Sequence, residues 1–169
     1  MSESFQQSIS LGLAQLALSG PDILFSGPVA SGKTRQMLGL LRQLPPALSV
    51  AILHSSEEHA LMQACRHFSS IRWLEESILD HITRQSALST FREVSLLVLD
   101  DLPPARIATL LAQETLPQIV GTVVLPLGCQ DTPLSNYTWR QRGGCWIQCD
   151  PLENLFFSLV IRHSHRPTT

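Results

Sequence analysis

A glycine-containing loop between an apolar run and a helical pattern constrains the fold of this chain more than any other feature. The loop reads Gly27-Pro28-Val29-Ala30-Ser31-Gly32-Lys33-Thr34. It matches G-x-x-x-x-G-K-[ST] at every required position. The run Ile23–Phe25 precedes it, and apolar residues recur with helical spacing over Lys33–Leu44. The order of strand, loop and helix predicts a phosphate-binding loop in an α/β protein.

The chemistry of phosphate binding accounts for the residue types in this loop. Gly27 and Gly32 permit backbone conformations and a close approach that a Cβ atom would obstruct. Backbone N–H groups and the positive end of the following helix form a concave anion site. Lys33 reaches the β- and γ-phosphates, and the Thr34 hydroxyl ligates Mg²⁺. We therefore predict that all eight residues bind ATP and that Lys33 takes part in catalysis.

A second motif follows the predicted strand Val94–Leu99. Asp100 comes directly after this apolar run, at the carboxyl edge of the sheet, where ligands bind in such folds. This position predicts a carboxylate that holds Mg²⁺ together with Thr34. The alternative is an Asp100 that only caps the next turn. Asp101 is either a weak general base for the attacking water or a solvated turn residue.

Two further residues are candidates near the γ-phosphate. Glu57 lies four residues past the predicted strand Ser49–Leu53 and is a candidate general base. A carboxylate in the first turn of a helix also stabilises the helix dipole with no catalytic role, so both interpretations of Glu57 stay open. Gln130 follows the predicted strand Thr122–Leu127 and is a candidate sensor of the γ-phosphate.

Strands and helices alternate over the first two-thirds of the chain. Besides the elements above, the pattern predicts a strand at Ile71–Leu74 and helices at Glu57–Phe68 and Ser77–Phe91. Two further strands are expected at Cys145–Cys149 and Leu155–Arg162, joined by a short turn. The prediction is an α/β fold whose mostly parallel sheet ends in a C-terminal antiparallel β-hairpin. Residues 1–20 are expected to form a helix or arm, 21–165 one domain, and 166–169 a tail.

The composition is poor in charge. Of 169 residues, 15% are charged, and the twelve basic ones include eleven arginines and a single lysine, Lys33. The net charge of −2 excludes a strongly basic nucleic-acid binder, and the single lysine excludes the N-K-x-D motif of GTPases. No apolar run approaches a membrane span, and no basic leader is present, so an intracellular, soluble protein is expected. So little charge predicts that another protein covers part of the surface.

Aromatic and basic residues alternate in the segment 136–144. Its members of interest are Tyr137, Trp139, Arg140 and Arg142. Such groups suit stacking on single-stranded DNA, and the alternative is that the aromatic rings pack in the core or against a partner. A small-molecule kinase usually needs a lid with several arginines that hold the phosphates. Because this segment offers only Arg140 and Arg142, a kinase is an alternative of lower rank.

With these motifs the chain resembles the RecA/Rad-type recombinase paralogs, and most closely the small paralogs of the Shu complex. The resemblance rests on the loop at 27–34, Ile71-Arg72-Trp73, Leu96-Leu97-Val98-Leu99-Asp100 and Cys145-Trp146-Ile147-Gln148, and it covers about residues 22–165. It implies a RecA-like P-loop NTPase core that uses ATP and Mg²⁺. It also implies a heterodimer with a SWIM-domain zinc protein, nuclear localisation and binding to single-stranded DNA.

The same resemblance implies a role in homologous recombination repair, in which the chain supports recombinase filaments. The N-terminal DNA-binding domain and the F-x-x-A motif of full recombinases have no counterpart here, so we expect a protein that modulates filaments. A weak DNA-linked ATPase activity is expected. The alternative of a different class is a P-loop binding module without significant turnover.

Overall fold

Seven strands, within the part of the chain that the structure describes, form a single sheet. The computed structural model describes residues 3–28, 31–54, 59–81, 89–111, 116–124, 144–151 and 157–164. Its elements, in chain order, are α1 (Glu3–Leu18), β1 (Asp22–Gly27), α2 (Lys33–Gln43), β2 (Ser49–His54), α3 (His59–Cys65), β3 (Ser70–Glu75), a 3-10 helix (Glu76–Asp80), β4 (Leu96–Leu102), α4 (Pro104–Leu111), β5 (Gln118–Val124), β6 (Gly144–Pro151) and β7 (Phe157–Ser164).

The order of the strands across the sheet is β3-β2-β4-β5-β1-β6-β7. The pairs β2–β3, β2–β4, β4–β5, β1–β5 and β1–β6 are all parallel, and β7 runs antiparallel to β6. The predicted α/β fold with a mostly parallel sheet is confirmed. Because parallel strands end at the same edge, the residues that follow β1 and β4 meet there, with β5 between them.

The sheet is covered on both faces, so its central strands are apolar on both sides. In β1, Ile23 and Phe25 pack with α1, α2 and α3, whereas Leu24 packs with α4 on the opposite face. All six residues of β1 are buried. A continuous apolar run is what a parallel strand needs when helices cover both of its faces. This is why the sequence pattern identified β1 despite its shortness.

The N-terminal helix α1 packs against the chain's own core. Leu13, Ala14 and Ala17 are buried in the cluster that α2 shares, whereas Leu11 and Leu18 are exposed. The 1–20 segment therefore holds a helix with one face buried. At 16 residues α1 is the longest described helix. None of the helices in the described ranges has the length and apolar character needed to cross a bilayer.

A polar tether fixes β5 beside β1 at the amino edge of the sheet. The Asp22 carboxylate accepts a hydrogen bond of 2.8 Å from the Ile119 backbone N–H. The Gln118 side chain donates to the carbonyl oxygens of Ala17 and Pro21, at 2.6 and 2.8 Å. These bonds set the register that brings Thr122 opposite Phe25 of β1. In the same register, Val124 pairs with Gly27, the first residue of the phosphate loop.

The bounds of several predicted elements differ from those in the structure. Where a helix is predicted over Ser77–Phe91, the structure describes a 3-10 helix at Glu76–Asp80 and helical residues at 89–90, and residues 82–88 lie outside the described segments. Strand β5 begins at Gln118, four residues before the predicted start at Thr122. The reason is that Gly121 lies within β5, where its missing Cβ leaves room for Leu99 on the neighbouring strand. The close packing of β5 against Leu99 of β4 therefore requires a glycine at position 121.

The thiol of Cys65 is expected to resist alkylation while the protein is folded. Cys65 is completely buried at the end of α3, and burial raises the pKa of its thiol from 9.0 to about 12, with Arg42 acting in the opposite direction. The reactive thiolate is therefore scarce at pH 8. Brief iodoacetamide treatment followed by trypsin and mass spectrometry checks this on the peptide Gln43–Arg66, which contains no other cysteine.

The control for this experiment is the same treatment in denaturant, which should label Cys65 fully. Rapid labelling of the folded protein would contradict the burial. The direction of the shift also has a consequence for stability. Because the unfolded thiol ionises first, its contribution to the free energy of unfolding is complete below about pH 9 and is lost as the pH rises toward 12.

Candidate phosphate and metal site

The loop between β1 and α2 has the backbone expected of a phosphate-binding turn. Gly27 is buried at the end of β1, and Gly32 adopts φ +83° and ψ 8° directly before the first residue of α2. This left-handed conformation favours glycine. The Gly32 carbonyl accepts a hydrogen bond of 3.1 Å from the Gln36 N–H, which starts the helix. Val29 and Ala30 lie outside the described residues, so their contacts stay predictions.

Two buried polar side chains of this loop fit an anionic ligand. The Ser31 hydroxyl is fully buried and has no hydrogen-bond partner in the described part of the chain. The Lys33 side chain is only 5% exposed although it carries a charge. Buried polar groups in folded proteins are nearly always paired, so both groups suit an acceptor such as a phosphate oxygen. The residues present therefore fit the phosphates of a nucleotide.

Lys33 forms an ion pair with the acidic turn at the end of β4. Its Nζ atom lies 3.4 Å from Oδ1 of Asp101, whose side chain is 47% exposed. The phosphate loop and the acidic turn are thus in contact, as the sequence motifs predict. The residue that makes the contact is Asp101, whereas the motif points to Asp100. A phosphate at this loop competes with the Asp101 carboxylate for the same ammonium group.

A β-bulge explains how two consecutive acidic residues reach the same side of the sheet. Leu99 pairs with Gly121 and Leu102 with Val123, so Asp100 and Asp101 together lie opposite the single residue Thr122. Asp101 has a φ of +50°, which is uncommon for a residue other than glycine. The bulge shifts the usual alternation of strand side chains by one residue. As a result, Leu99 and Leu102, which lie three positions apart, pack in the same core.

The Thr122 hydroxyl lies between the two carboxylates. It accepts a hydrogen bond of 2.8 Å from the Asp101 backbone N–H and lies 3.1 Å from Asp100 Oδ1 and 3.4 Å from Asp101 Oδ1. Thr122 and Asp100 are both buried. The sequence motifs do not identify Thr122 as a site residue. Its signal is a polar residue that follows Gly121 in the interior of a mainly apolar strand, and this signal can be interpreted only when the register is known.

The metal ligands predicted from the sequence lie on neighbouring elements. Thr34 is in the first turn of α2 and is partly exposed, and Asp100 is buried at the end of β4. A hydroxyl and a carboxylate are oxygen donors, and Mg²⁺ is commonly bound by one or two carboxylates together with nucleotide phosphates. Among the described residues, no group of three or more His, Cys, Asp or Glu side chains is placed to hold a metal on its own.

The remaining candidates lie outside the described segments of the chain. They are the possible general base Glu57, the possible sensor Gln130, and the proposed DNA-binding residues Tyr137, Trp139, Arg140 and Arg142. Their roles stay predictions.

Comparisons with known proteins agree with this architecture at the level of the fold. No protein-family model matches the chain, and no curated protein matches it. Among solved structures, it is similar to the VirB11 ATPase from the Brucella suis type IV secretion system, solved in complex with sulphate, with a TM-score of 0.62 and 12% identity. The match covers 92% of this chain and 51% of VirB11, so the chain spans about half the length of that protein.

A second solved structure is the flagellar accessory protein FlaH from Methanocaldococcus jannaschii. The match has a TM-score of 0.46 and 15% identity, and it covers 86% of this chain and 78% of FlaH. The similarity to VirB11 extends over nearly the whole chain, at an identity that supports a statement about the fold alone. The chain therefore has an α/β fold with a mostly parallel sheet, similar to that of the VirB11 ATPase.

Proposed function

We propose that this chain binds ATP and Mg²⁺ as a RecA-like recombinase paralog and supports homologous recombination repair. In this role it assists recombinase filaments on single-stranded DNA together with a SWIM-domain zinc protein. One observation carries the nucleotide part of the proposal. The chain's single lysine, Lys33, is buried in a glycine-containing loop and contacts the acidic end of β4. The recombination role rests on the sequence resemblance.

In this proposal, the side chains of the site divide three tasks. Lys33 neutralises phosphate charge, and its burial strengthens that interaction by keeping water away. Thr34 and Asp100 supply oxygen donors for Mg²⁺, which itself would offset the charge of the phosphates. Asp101 or Glu57 would orient and deprotonate the attacking water.

We further propose that hydrolysis is slow. The Asp101 carboxylate is paired with Lys33, so this contact must break before the carboxylate can hold the attacking water. Release of phosphate from ATP, measured with and without single-stranded DNA, tests this point, and Lys33→Ala provides the background. Equal release by the two proteins would favour a binding module without turnover. Phosphorylation of a nucleoside in the absence of DNA would favour a small-molecule kinase.

The partner proposal has support on the surface of α1. Leu11 and Leu18 are 46% and 56% exposed, and they lie seven residues apart, which places them on the same face of the helix. Two exposed leucines on one face of a helix, in a chain of low charge, suit contact with another protein.

Co-purification from cells followed by mass spectrometry tests the partner and, with imaging, the proposed nuclear localisation. We expect a SWIM-domain zinc protein to be recovered with the wild-type chain and to be reduced by Leu11→Ser with Leu18→Ser. Gln15→Ser is the matched control, because this exposed polar residue lies between the two leucines on α1. Recovery of no such zinc protein would contradict the family assignment.

The DNA proposal concerns the segment 136–144. Fluorescence anisotropy of labelled single-stranded DNA with the co-purified complex measures binding directly. Replacement of Trp139 and Arg140 by alanine should weaken it, because stacking and phosphate contacts are lost together. Unchanged binding would favour packing of this segment within the protein.

A further inference from the structure

We propose that Thr122 is a positioning residue that orients the metal-binding carboxylate of Asp100. The inference rests on the proposed function, because it concerns Mg²⁺ bound with ATP. It starts from a single hydroxyl group that is buried between two acidic side chains and bonded to the backbone of one of them.

The hydrogen-bonding capacity of a hydroxyl limits what Thr122 can do. Its oxygen has two lone pairs and one proton. The Asp101 N–H occupies one lone pair at 2.8 Å, which restricts the directions open to the proton. The proton goes to Oδ1 of Asp100 at 3.1 Å or to Oδ1 of Asp101 at 3.4 Å. Donation to Asp100, the shorter contact, holds one carboxylate oxygen in place and thereby fixes the plane of the group.

The same hydroxyl also stabilises the bulge that places Asp101 next to Lys33. Asp101 has a left-handed backbone conformation, and its N–H is satisfied by the Thr122 side chain. Asp101 in turn contacts Lys33 at 3.4 Å. Thr122 therefore contacts the metal-binding carboxylate of Asp100 directly, and it is linked through Asp101 to the phosphate-binding ammonium group of Lys33. Partners that orient a metal ligand in this way commonly change metal affinity when they are removed.

The test compares Thr122→Val, which keeps the shape and removes the hydroxyl, with Thr122→Ser, which keeps the hydroxyl. Equilibrium titration of the full chain with a fluorescent ATP analogue gives a dissociation constant with Mg²⁺ and another with EDTA. We expect Thr122→Val to reduce the gain in affinity that Mg²⁺ provides by about tenfold. Binding in EDTA should stay within about twofold of wild type, and Thr122→Ser should retain most of the gain.

The outcomes separate this inference from the proposed function. Failure of the wild-type chain to bind the analogue would overturn the proposed function and the inference with it. Normal Mg²⁺-dependent binding by Thr122→Val would overturn the inference alone. An equal loss in the valine and serine variants would show that the hydroxyl alone does not preserve the Mg²⁺-dependent gain, which also overturns it.

Thermal unfolding of each variant checks that the chain is folded. If Thr122→Val does not fold, Thr122→Ala removes the same hydroxyl from a smaller side chain and takes its place in the titration. The same two results then decide the matter. A selective loss of the Mg²⁺-dependent gain supports the inference, and retention of that gain contradicts it.

Discussion

Replacement of Lys33 by alanine is expected to weaken ATP binding by about tenfold to a hundredfold. Charge-assisted hydrogen bonds are worth roughly 1.5–3 kcal/mol each, and every 1.4 kcal/mol corresponds to about tenfold in affinity. Lys33 is the only lysine of the chain and is buried where the loop meets the acidic turn. No other lysine is therefore present to replace its ammonium group. Titration with a fluorescent ATP analogue measures the loss.

The fold is expected to tolerate this substitution. The partner of Lys33 is Asp101, whose side chain is 47% exposed and therefore stays hydrated when the ammonium group is gone. Arg35→Ala is the matched control, because Arg35 is an exposed cation in the first turn of the same helix. The control should bind ATP within about twofold of wild type, since an exposed surface charge contributes little. Equal affinity of Lys33→Ala and wild type would contradict the phosphate site.

The phosphate loop was predictable from the sequence because its parts are contiguous. The glycines, Lys33 and Thr34 follow each other within eight residues, and β1 and α2 flank them in the chain as they do in space. Asp100 was predictable for a similar reason, since it ends an apolar run that is buried throughout. Local patterns of this kind require no knowledge of which strands are neighbours.

The pairing of Lys33 with Asp101 and the position of Thr122 were not predictable in this way. They depend on a register shift between β4 and β5, two strands that α4 separates in the sequence. Without the bulge, Asp100 and Asp101 would point to opposite faces of the sheet, as consecutive strand residues do. The Thr122 hydroxyl lies near both carboxylates because of the register in which β5 pairs with β4. The hydrogen bonds of Asp22 and Gln118 at the amino edge of the sheet help to hold β5 in place.

The segment after β3 shows a second limit of local patterns. Its apolar spacing predicts a helix over Ser77–Phe91, whereas the described part of this segment begins with a 3-10 helix at Glu76–Asp80. Arg106 at the start of α4 pairs with Glu76 and Asp80 from another part of the chain. The periodicity of apolar residues carries no information about such ion pairs between segments that are distant in the sequence.

Replacement of Gly121 by alanine is expected to lower the free energy of unfolding by about 3 kcal/mol. A Cβ atom at this position would lie 2.8 Å from Leu99 Cβ, 3.1 Å from the Leu99 carbonyl oxygen and 3.2 Å from Leu24 Cδ2. Two of these atoms belong to the backbone of β4 or are attached directly to it, so they cannot rotate away. The strands must move apart instead, at the centre of the sheet. Denaturant unfolding followed by circular dichroism measures the change.

Gly12→Ala is the matched control, and its expected effect has the opposite sign. Gly12 lies within α1, and a Cβ atom there would have no atom within 4 Å. The same substitution should therefore raise the free energy of unfolding by about 0.5–1 kcal/mol, because alanine favours the helix over glycine. Comparison of the two variants separates the cost of close packing at Gly121 from the backbone-entropy effect of replacing glycine by alanine. Gly121→Ala with a stability equal to that of Gly12→Ala would show that β4 and β5 have room to spare beside Thr122.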